Sequence, residues 1–145
     1  PEGYVDYVVP PLEGLWWTDN PGFDGKPPAD KGDFRWTSLI RQPDFVNEEV
    51  FGWALERLAK KKPNLPLERA RFLRWEEGLC AHLLHTGPYD DEPASIDRLS
   101  DFIAGEGYEA DFSGTRRHHE IYLGDPRRTA PEKLKTVIRH PVKRS

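Results

Sequence analysis

The stretch from His118 to Leu123 constrains the fold more than any other part of the sequence. Side chains point alternately to the two faces of a strand. On that rule the two faces are His118, Glu120 and Tyr122 and, opposite them, His119, Ile121 and Leu123. The first face carries an imidazole, an acid and a phenol, a set that is costly against hydrocarbon and unusual against water alone. We therefore predict that this strand forms one wall of a binding cavity.

Length and composition limit what this cavity can serve. The 145 residues fit a single domain over residues 1–145 with one sizeable core. A net charge of −4 provides no basic footprint, so we expect no nucleic-acid partner. A single Cys excludes an internal disulfide and fits a reducing compartment. No apolar run approaches the roughly 20 residues of a membrane span, so we expect a soluble, cytoplasmic protein with no membrane partner.

The start of the sequence is unusual in two ways. It contains no Met, which indicates a processed, trimmed or partial chain. Val5, Tyr7, Val8 and Val9 follow almost at once, so the chain is expected to open inside or beside a strand.

The first half of the chain predicts a hairpin followed by a helix. Strands over Leu12–Trp17 and Phe34–Ile40 pair naturally as antiparallel neighbours around the Pro- and Gly-rich loop Asp19–Asp33. Asn47 is a favourable N-cap for a helix of about four turns that ends in a run of three Lys before Pro63.

The second half repeats this kind of organisation. Arg71–Thr86 is strand-like with a turn near Gly78, and a helix follows from Asp90 or Asp91 through about Ala104. Its predicted buried side is Ile96, Leu99, Phe102 and Ile103. After the His118–Leu123 strand, a final strand over Thr136–His140 is expected to end at Pro141. The pattern predicts an α+β fold, an antiparallel sheet with helices on one face.

Several short motifs now resemble a known family, the GyrI-like small-molecule-binding domain. They are Gly78, His85-Thr86-Gly87-Pro88-Tyr89-Asp90, Glu120-Ile121-Tyr122-Leu123 with Asp125-Pro126, Pro131-Glu132, Ile138 and Pro141-Val142. Two further runs, Tyr7–Trp17 and Trp36–Pro43, are similar to a narrower subgroup of stand-alone proteins that hydrolyse cyclopropane-bearing genotoxic natural products.

The resemblance implies a more detailed fold. It implies two βαββ repeats, related by a pseudo-twofold axis, around a central ligand cleft. The first strand and helix of the first repeat would precede Val5–Trp17 and are not found in this sequence. We therefore expect a complementing N-terminal segment or a homodimer paired through a strand edge.

The resemblance also implies roles for individual residues. Glu120 matches the cleft glutamate of the family, and a rise in its pKa on desolvation would make it a general base for water, with Tyr122 as its companion. The residues expected to contact the ligand are Trp16, Trp17, Trp36, His85, Tyr89 and His118. Adjacent Trp16 and Trp17 point to opposite faces, so one packs in the core and the other is free to join Trp36 in an aromatic wall.

Plainer interpretations stand beside these. Glu120 could be a surface acid paired with Arg116 or Arg117, Tyr122 could cover a core edge, His85 could make a structural hydrogen bond, and His118 could lie at the rim or serve structure. Cys80 looks like packing. A zinc site formed by His118 and His119 with His82, Cys80 and His140 is not expected, because adjacent His point to opposite strand faces and the sequence has no spaced Cys pair. We expect no metal and no cofactor.

Two functions remain open. In the first, Glu120 activates water to open the cyclopropane ring of a planar aromatic ligand, while Tyr122 or a neighbouring donor stabilises the oxygen that gains charge. In the second, the same acid and aromatic residues bind a lipophilic cationic drug without catalysis, as a sensor or sequestering domain.

Overall fold

A computed structural model describes all residues from Pro1 to Ser145. Its internal contacts divide the chain into two compact units. The first combines residues 1–10 with 41–76, and the second combines residues 11–40 with 77–145. The interpretation of residues 1–145 as one domain stays a prediction.

The second unit is built on a six-stranded antiparallel sheet. Its strands are β1 (Glu13–Trp17), β2 (Arg35–Leu39), β3 (Cys80–Thr86), β4 (Tyr108–Ala110), β5 (His118–Tyr122) and β6 (Lys135–Arg144). They lie in the order β2-β1-β5-β6-β3, with β4 paired to the end of β6. The helices of the chain are α1 (Glu48–Lys61) and α2 (Glu92–Gly105). The α+β class and the predicted hairpin of β1 and β2 are confirmed, whereas the arrangement in two βαββ repeats stays a prediction.

Helix α2 covers one face of this sheet with an apolar stripe. Ile96, Leu99 and Ile103 recur at helical spacing, and each is at least 96% buried. They pack against Ile138 and Val142 of β6 to form the core. Because Ile138 lies directly opposite Glu120 in the register of β5 and β6, the sheet face that carries the core also carries the acid.

One predicted core residue is misplaced. Phe102, which the sequence places on the buried side of α2, is 57% exposed because it lies beside the stripe rather than on it.

Three strand predictions are wrong in extent. Residues 71–79 form no strand, and Gly78 turns the chain with φ of +77°. Val5–Val9 is exposed and forms no strand, so of the two alternatives the chain does not open inside a strand. The last strand does not end at Pro141, because the Pro141 carbonyl accepts from the Asp111 amide at 2.8 Å while Val142 donates to Leu79 at 3.0 Å.

The first unit contains α1, whose predicted boundaries are confirmed. The Asn47 side chain accepts from the Val50 amide at 2.9 Å, which caps the first turn. Phe51 stacks on Phe72 within this unit with ring centroids 5.9 Å apart. Trp53, off the apolar stripe as expected, is 58% exposed.

Neither helix has the length and apolar character needed to cross a membrane.

Candidate functional site

The site is centred on Glu120 in the middle of β5. Its neighbours across the sheet are Gly14 on β1 and Ile138 on β6, and only 7% of the residue is exposed. The alternative of a surface acid paired with arginine is therefore wrong. Arg116 instead donates to the Glu77 carbonyl, and Arg117 donates to the Gly114 carbonyl.

A continuous run of hydrogen bonds connects Glu120 to an aromatic residue on the neighbouring strand. The Trp16 indole Nε1 donates to the Tyr122 hydroxyl at 2.8 Å, and that hydroxyl donates to Oε2 of Glu120 at 2.7 Å. Tyr122 is thus neither a simple core cover nor a free donor, because its single proton is already committed to Glu120. Burial and the negative charge of Glu120 raise the pKa of Tyr122 above its ordinary value, so it remains a phenol.

The other oxygen of Glu120 is held by a buried pair of imidazoles. Nε2 of His118 lies 3.0 Å from Oε1 of Glu120, and Nδ1 of His118 lies 2.7 Å from Nε2 of His140. An ionised carboxylate only accepts, so Nε2 of His118 carries a proton. His118 is 2% exposed, so of its two plainer interpretations, a place at the rim or a structural role, the place at the rim is wrong.

Gly25 closes the other side of this imidazole pair. Its φ is +91°, and a Cβ at this position would lie 2.5 Å from a ring carbon of His140. Only a glycine can bring the backbone of the long loop between β1 and β2 this close. Burial, together with the nearby His118, lowers the pKa of His140 to about 3, so this imidazole is neutral.

Glu92, which the sequence analysis did not select, is the fourth member of the site. It is the first residue of α2, is 6% exposed, and brings a carboxyl oxygen within 4.8 Å of a carboxyl oxygen of Glu120. Its Oε1 is buried and has no hydrogen-bond partner. The signal was present in the sequence, since Glu92 precedes Ile96 by four residues and so lies on the buried stripe of α2.

The pKa values of the carboxyl groups of Glu92 and Glu120 are shifted in opposite directions. Burial, reinforced by the hydrogen bond and charge of Glu120, raises the pKa of Glu92 well above its ordinary value. Burial alone would also raise the pKa of Glu120, but hydrogen bonds from His118, Glu92 and Tyr122 outweigh it and lower that pKa. The predicted rise in the pKa of Glu120 is therefore wrong in direction, because the sequence reveals burial but not the donors that stabilise the carboxylate.

Glu92, His118 and Glu120 place donor atoms within 4.8 Å of one another, which is close enough to ask whether they fit a metal ion. Both oxygens of Glu120 already accept hydrogen bonds, and His118 must keep its Nε2 proton to donate one of them. These bonds fit a site linked by protons rather than a set of open metal ligands.

The structure separates the three tryptophans predicted to contact a ligand. Trp16 and Trp36 are register partners on the Glu120 face, stacked with ring centroids 5.8 Å apart, and Trp36 is 61% exposed. Trp17 points to the opposite face, where the guanidinium of Arg117 lies 3.4 Å from its ring centroid. Only Trp16 and Trp36 therefore belong to the same surface as Glu120.

The two remaining predicted ligand contacts, Tyr89 and His85, also differ in their relation to the site. The Tyr89 ring meets the Tyr122 ring edge-on at 6.1 Å, beside the carboxyl pair. Both ring nitrogens of His85 are already engaged, one with the Ser95 hydroxyl at 2.7 Å and one with the Pro88 carbonyl at 2.9 Å. These bonds give His85 the structural role that was the plainer interpretation, fixing the start of α2 against β3.

The opposite face of β5 carries a second charged cluster that the sequence analysis did not foresee. His119 lies between two carboxylates, 2.6 Å from Glu13 and 2.6 Å from Glu77, and Glu77 also bonds Arg139 at 3.2 Å. Burial and the charge of Glu77 raise the pKa of Cys80 to about 11, which makes its thiol a poor nucleophile.

Gly14 makes room for the Trp16–Tyr122 hydrogen bond, and we expect Gly14→Ala to break it. A Cβ there would lie 2.7 Å from the indole nitrogen and 2.9 Å from the phenol oxygen. Overpacking of this kind costs about 1–3 kcal/mol, measurable as a lower free energy of unfolding in urea. Gly52→Ala is the matched control, because nothing lies within 4 Å of its Cβ position and alanine in a helix should stabilise by about 0.5–1 kcal/mol. Equal effects of the two substitutions would contradict the crowding at Gly14.

Solved structures similar to this chain share both its fold and part of its sequence. An uncharacterised conserved protein from Listeria innocua is 45% identical with a TM-score of 0.90, over 98% of this chain and 68% of that one. Two structures of hydrolases from Listeria innocua are 44% and 45% identical, each with a TM-score of 0.85, over 98% of this chain and 66% and 67% of theirs. The chain thus spans about two thirds of the length of these proteins.

The search of proteins with curated descriptions found no match. The GyrI-like small molecule binding domain matches residues 6–143, which is nearly the whole chain. This chain belongs to the GyrI-like small-molecule-binding domain family.

Proposed function

We propose that this protein binds planar aromatic small molecules and hydrolyses an electrophilic cyclopropane ring in them. The observation that carries the proposal is the hydrogen-bonded path from the stacked pair of exposed Trp36 and half-buried Trp16 to a buried carboxylate: Trp16 donates to Tyr122, and Tyr122 donates to Glu120. Hydrolase is also the description given to two of the similar structures from Listeria innocua.

Trp36 and Trp16 would supply the binding surface. The exposed Trp36 ring offers a flat apolar face, and its stacking on Trp16 extends that face toward Tyr122. A planar ligand on this surface would lie beside the phenol that leads to Glu120. The wall is therefore placed to hold the ligand and to exclude water from one side of it.

Tyr122 would couple ligand binding to the basicity of Glu120. Its hydroxyl has one proton, which it donates to Glu120 when no ligand accepts it. A ligand carbonyl that takes this proton as a hydrogen bond would release Oε2 of Glu120. Because that hydrogen bond is one of the causes that lower the pKa of Glu120, its loss would make the carboxylate a stronger base.

The released carboxylate would then activate water. The water oxygen forms a bond to the ring methylene, the ring carbon–carbon bond breaks, and its electron pair moves to the conjugated carbonyl oxygen. Glu120 takes the proton of the water, and Tyr122 stabilises the oxygen that gains charge until it is protonated. The product differs from the ligand by one added molecule of water.

A second candidate, binding of a lipophilic cation without catalysis, is favoured by one specific observation. In the free protein Glu120 has a lowered pKa and hydrogen bonds at both oxygens, so it is a buried negative charge and a weak base. Such a charge next to aromatic faces attracts cations.

Incubation with a planar compound that carries a spirocyclopropane conjugated to a carbonyl would separate the two candidates. We expect mass spectrometry to detect the ligand with one added water and the protein with no covalent adduct. Recovery of unchanged ligand after long exposure to stoichiometric protein would exclude hydrolysis and leave binding alone.

Trp36→Ala is expected to weaken binding of the same ligand by about 2- to 10-fold, from loss of an aromatic contact of about 0.5–1.5 kcal/mol. Trp53→Ala is the matched control, since Trp53 is equally exposed but lies in the other compact unit. Fluorescence titration of each variant measures the change. A loss of affinity in Trp53→Ala as large as that in Trp36→Ala would argue against the Trp16–Trp36 surface.

A further inference from the structure

We infer that Glu92 is a positioning residue that forms a carboxyl pair with Glu120 and holds the one proton of that pair. The pair therefore carries one negative charge, and loss of this proton disrupts the arrangement of Glu120. The inference rests on the proposed function only for its catalytic consequence. Its structural basis is the close approach of two buried carboxyl groups, which does not depend on the family to which the chain belongs.

The first step is the close approach of the two groups, whose carboxyl oxygens lie within 4.8 Å of each other. Two carboxylates only accept hydrogen bonds, so neither can stabilise the other unless one of them keeps a proton. Both residues are more than 90% buried, and two uncompensated charges at this distance would repel strongly.

The second step is to locate the proton. Glu120 accepts from His118 on one oxygen and from Tyr122 on the other, which stabilises its charged form. Glu92 has no such donor, and its Oε1 has no partner at all. The proton therefore resides on Glu92, which donates to Glu120.

The groups that face Glu92 come from two places. Glu120, Tyr122 and His118 face it from β5, and Tyr89 faces it from the turn before α2. His140 on β6 is one step further, behind His118. None of the groups in contact with it is a Lys or Arg, so no fixed positive charge favours ionised Glu92.

The pair has a consequence for function. At neutral pH, Glu92 supplies a third donor to Glu120 and keeps the charge of the site at one. Loss of its proton at alkaline pH would place two negative charges together, break the bond between them and displace Glu120 from Tyr122. We therefore expect ligand binding and hydrolysis to have an alkaline limit set by Glu92.

The test compares Glu92→Gln with the wild type in the absence of ligand. The Gln amide donates to Glu120 as protonated Glu92 does, but it does not titrate. In the unfolded chain Glu92 ionises near its ordinary pKa, whereas in the folded chain it stays protonated, so the wild type loses stability as pH rises above about 4.3. The difference between the urea midpoint of Glu92→Gln and that of the wild type should therefore increase steadily in favour of the variant from about pH 5 to about pH 9.

Asp91→Asn is the matched control, because Asp91 is the exposed neighbour of Glu92 at the same helix end; its difference from the wild type should stay flat over this range. A flat difference for Glu92→Gln would overturn the inference. Should that variant fail to fold, carbon NMR of wild-type protein labelled at the Glu carboxyl carbons decides instead. One carboxyl group still protonated at neutral pH supports the shared proton, and none overturns it.

These readouts need no substrate, so a failure of hydrolysis and a failure of the carboxyl pair are distinguishable. Where hydrolysis is observed, the pH profile of Glu92→Gln should lack the alkaline limb that the wild-type profile shows. A merely structural role would lower turnover at every pH and leave the shape of the profile unchanged.

Discussion

Glu120→Gln is expected to lower the rate of cyclopropane hydrolysis by about 10²–10⁴-fold while leaving the affinity for a neutral planar ligand largely intact. Gln has nearly the same shape as Glu, so the aromatic surface formed by Trp16 and Trp36 should persist. It cannot take a proton from water, however, and it has only one acceptor oxygen for the donors His118 and Tyr122. The expected result is a protein that binds ligand without turning it over.

Rates from single-turnover mass spectrometry and affinities from tryptophan fluorescence measure the two effects separately. Glu132→Gln is the matched control, because Glu132 is exposed in the turn before β6 and its replacement should alter neither quantity. Full activity in Glu120→Gln would remove Glu120 from the mechanism. Loss of affinity for the neutral ligand in the same proportion as turnover would instead mean that the substitution had disrupted the site.

The strand that carries the acid could be predicted because alternation is a local property of a strand. Side chains two residues apart in β5 point the same way, and His118, Glu120 and Tyr122 are linked by direct hydrogen bonds. The same rule requires that Trp16 and Trp17 separate to opposite faces. Which of them joins Glu120 depends on the register of β1 against β5, in which Trp16 is paired with His118. That register was not evident from the pattern of either strand.

The other half of the site could not be predicted because it depends on pairing between distant segments. His140 reaches His118 only because β6 lies beside β5, with Arg139 paired to His119 in their register. Gly25 lies in a loop that reads as a solvent-exposed connection, yet it packs on this imidazole pair. Glu92 could have been predicted from the sequence, because its place on the apolar stripe of α2 marks it as buried. The cytoplasmic location and a homodimer paired through a strand edge stay predictions.

His119 on the opposite face of β5 supports the sheet itself rather than the ligand site. Its two ring nitrogens bridge carboxylates from separate parts of the chain, Glu13 on β1 and Glu77 before β3, while its side chain is only 3% exposed. Burial alone would lower the pKa of His119, but these hydrogen bonds outweigh it and raise the pKa above its ordinary value. Burial likewise opposes the charge on Glu77, and His119 and Arg139 nevertheless hold the pKa of that carboxyl low.

We expect His119→Gln to destabilise the protein by about 3–5 kcal/mol, the usual cost of removing one partner from a buried ion pair. Equilibrium urea unfolding measures the loss, and His82→Gln, at an exposed histidine on β3, should change stability by less than about 0.5 kcal/mol.

Because the folded pKa of His119 is raised, the contribution of His119 to stability is fully present below the unfolded pKa of about 6.5 and disappears as pH rises through the folded pKa. The low pKa of Glu77 sets the acid boundary, since its contribution is lost as pH falls from about 4.3 through its folded value. The difference between wild type and His119→Gln should therefore be largest between about pH 5 and 6.5; a difference that grew with alkaline pH would mean that His119 is neutral and that Glu13 and Glu77 are held together by another proton.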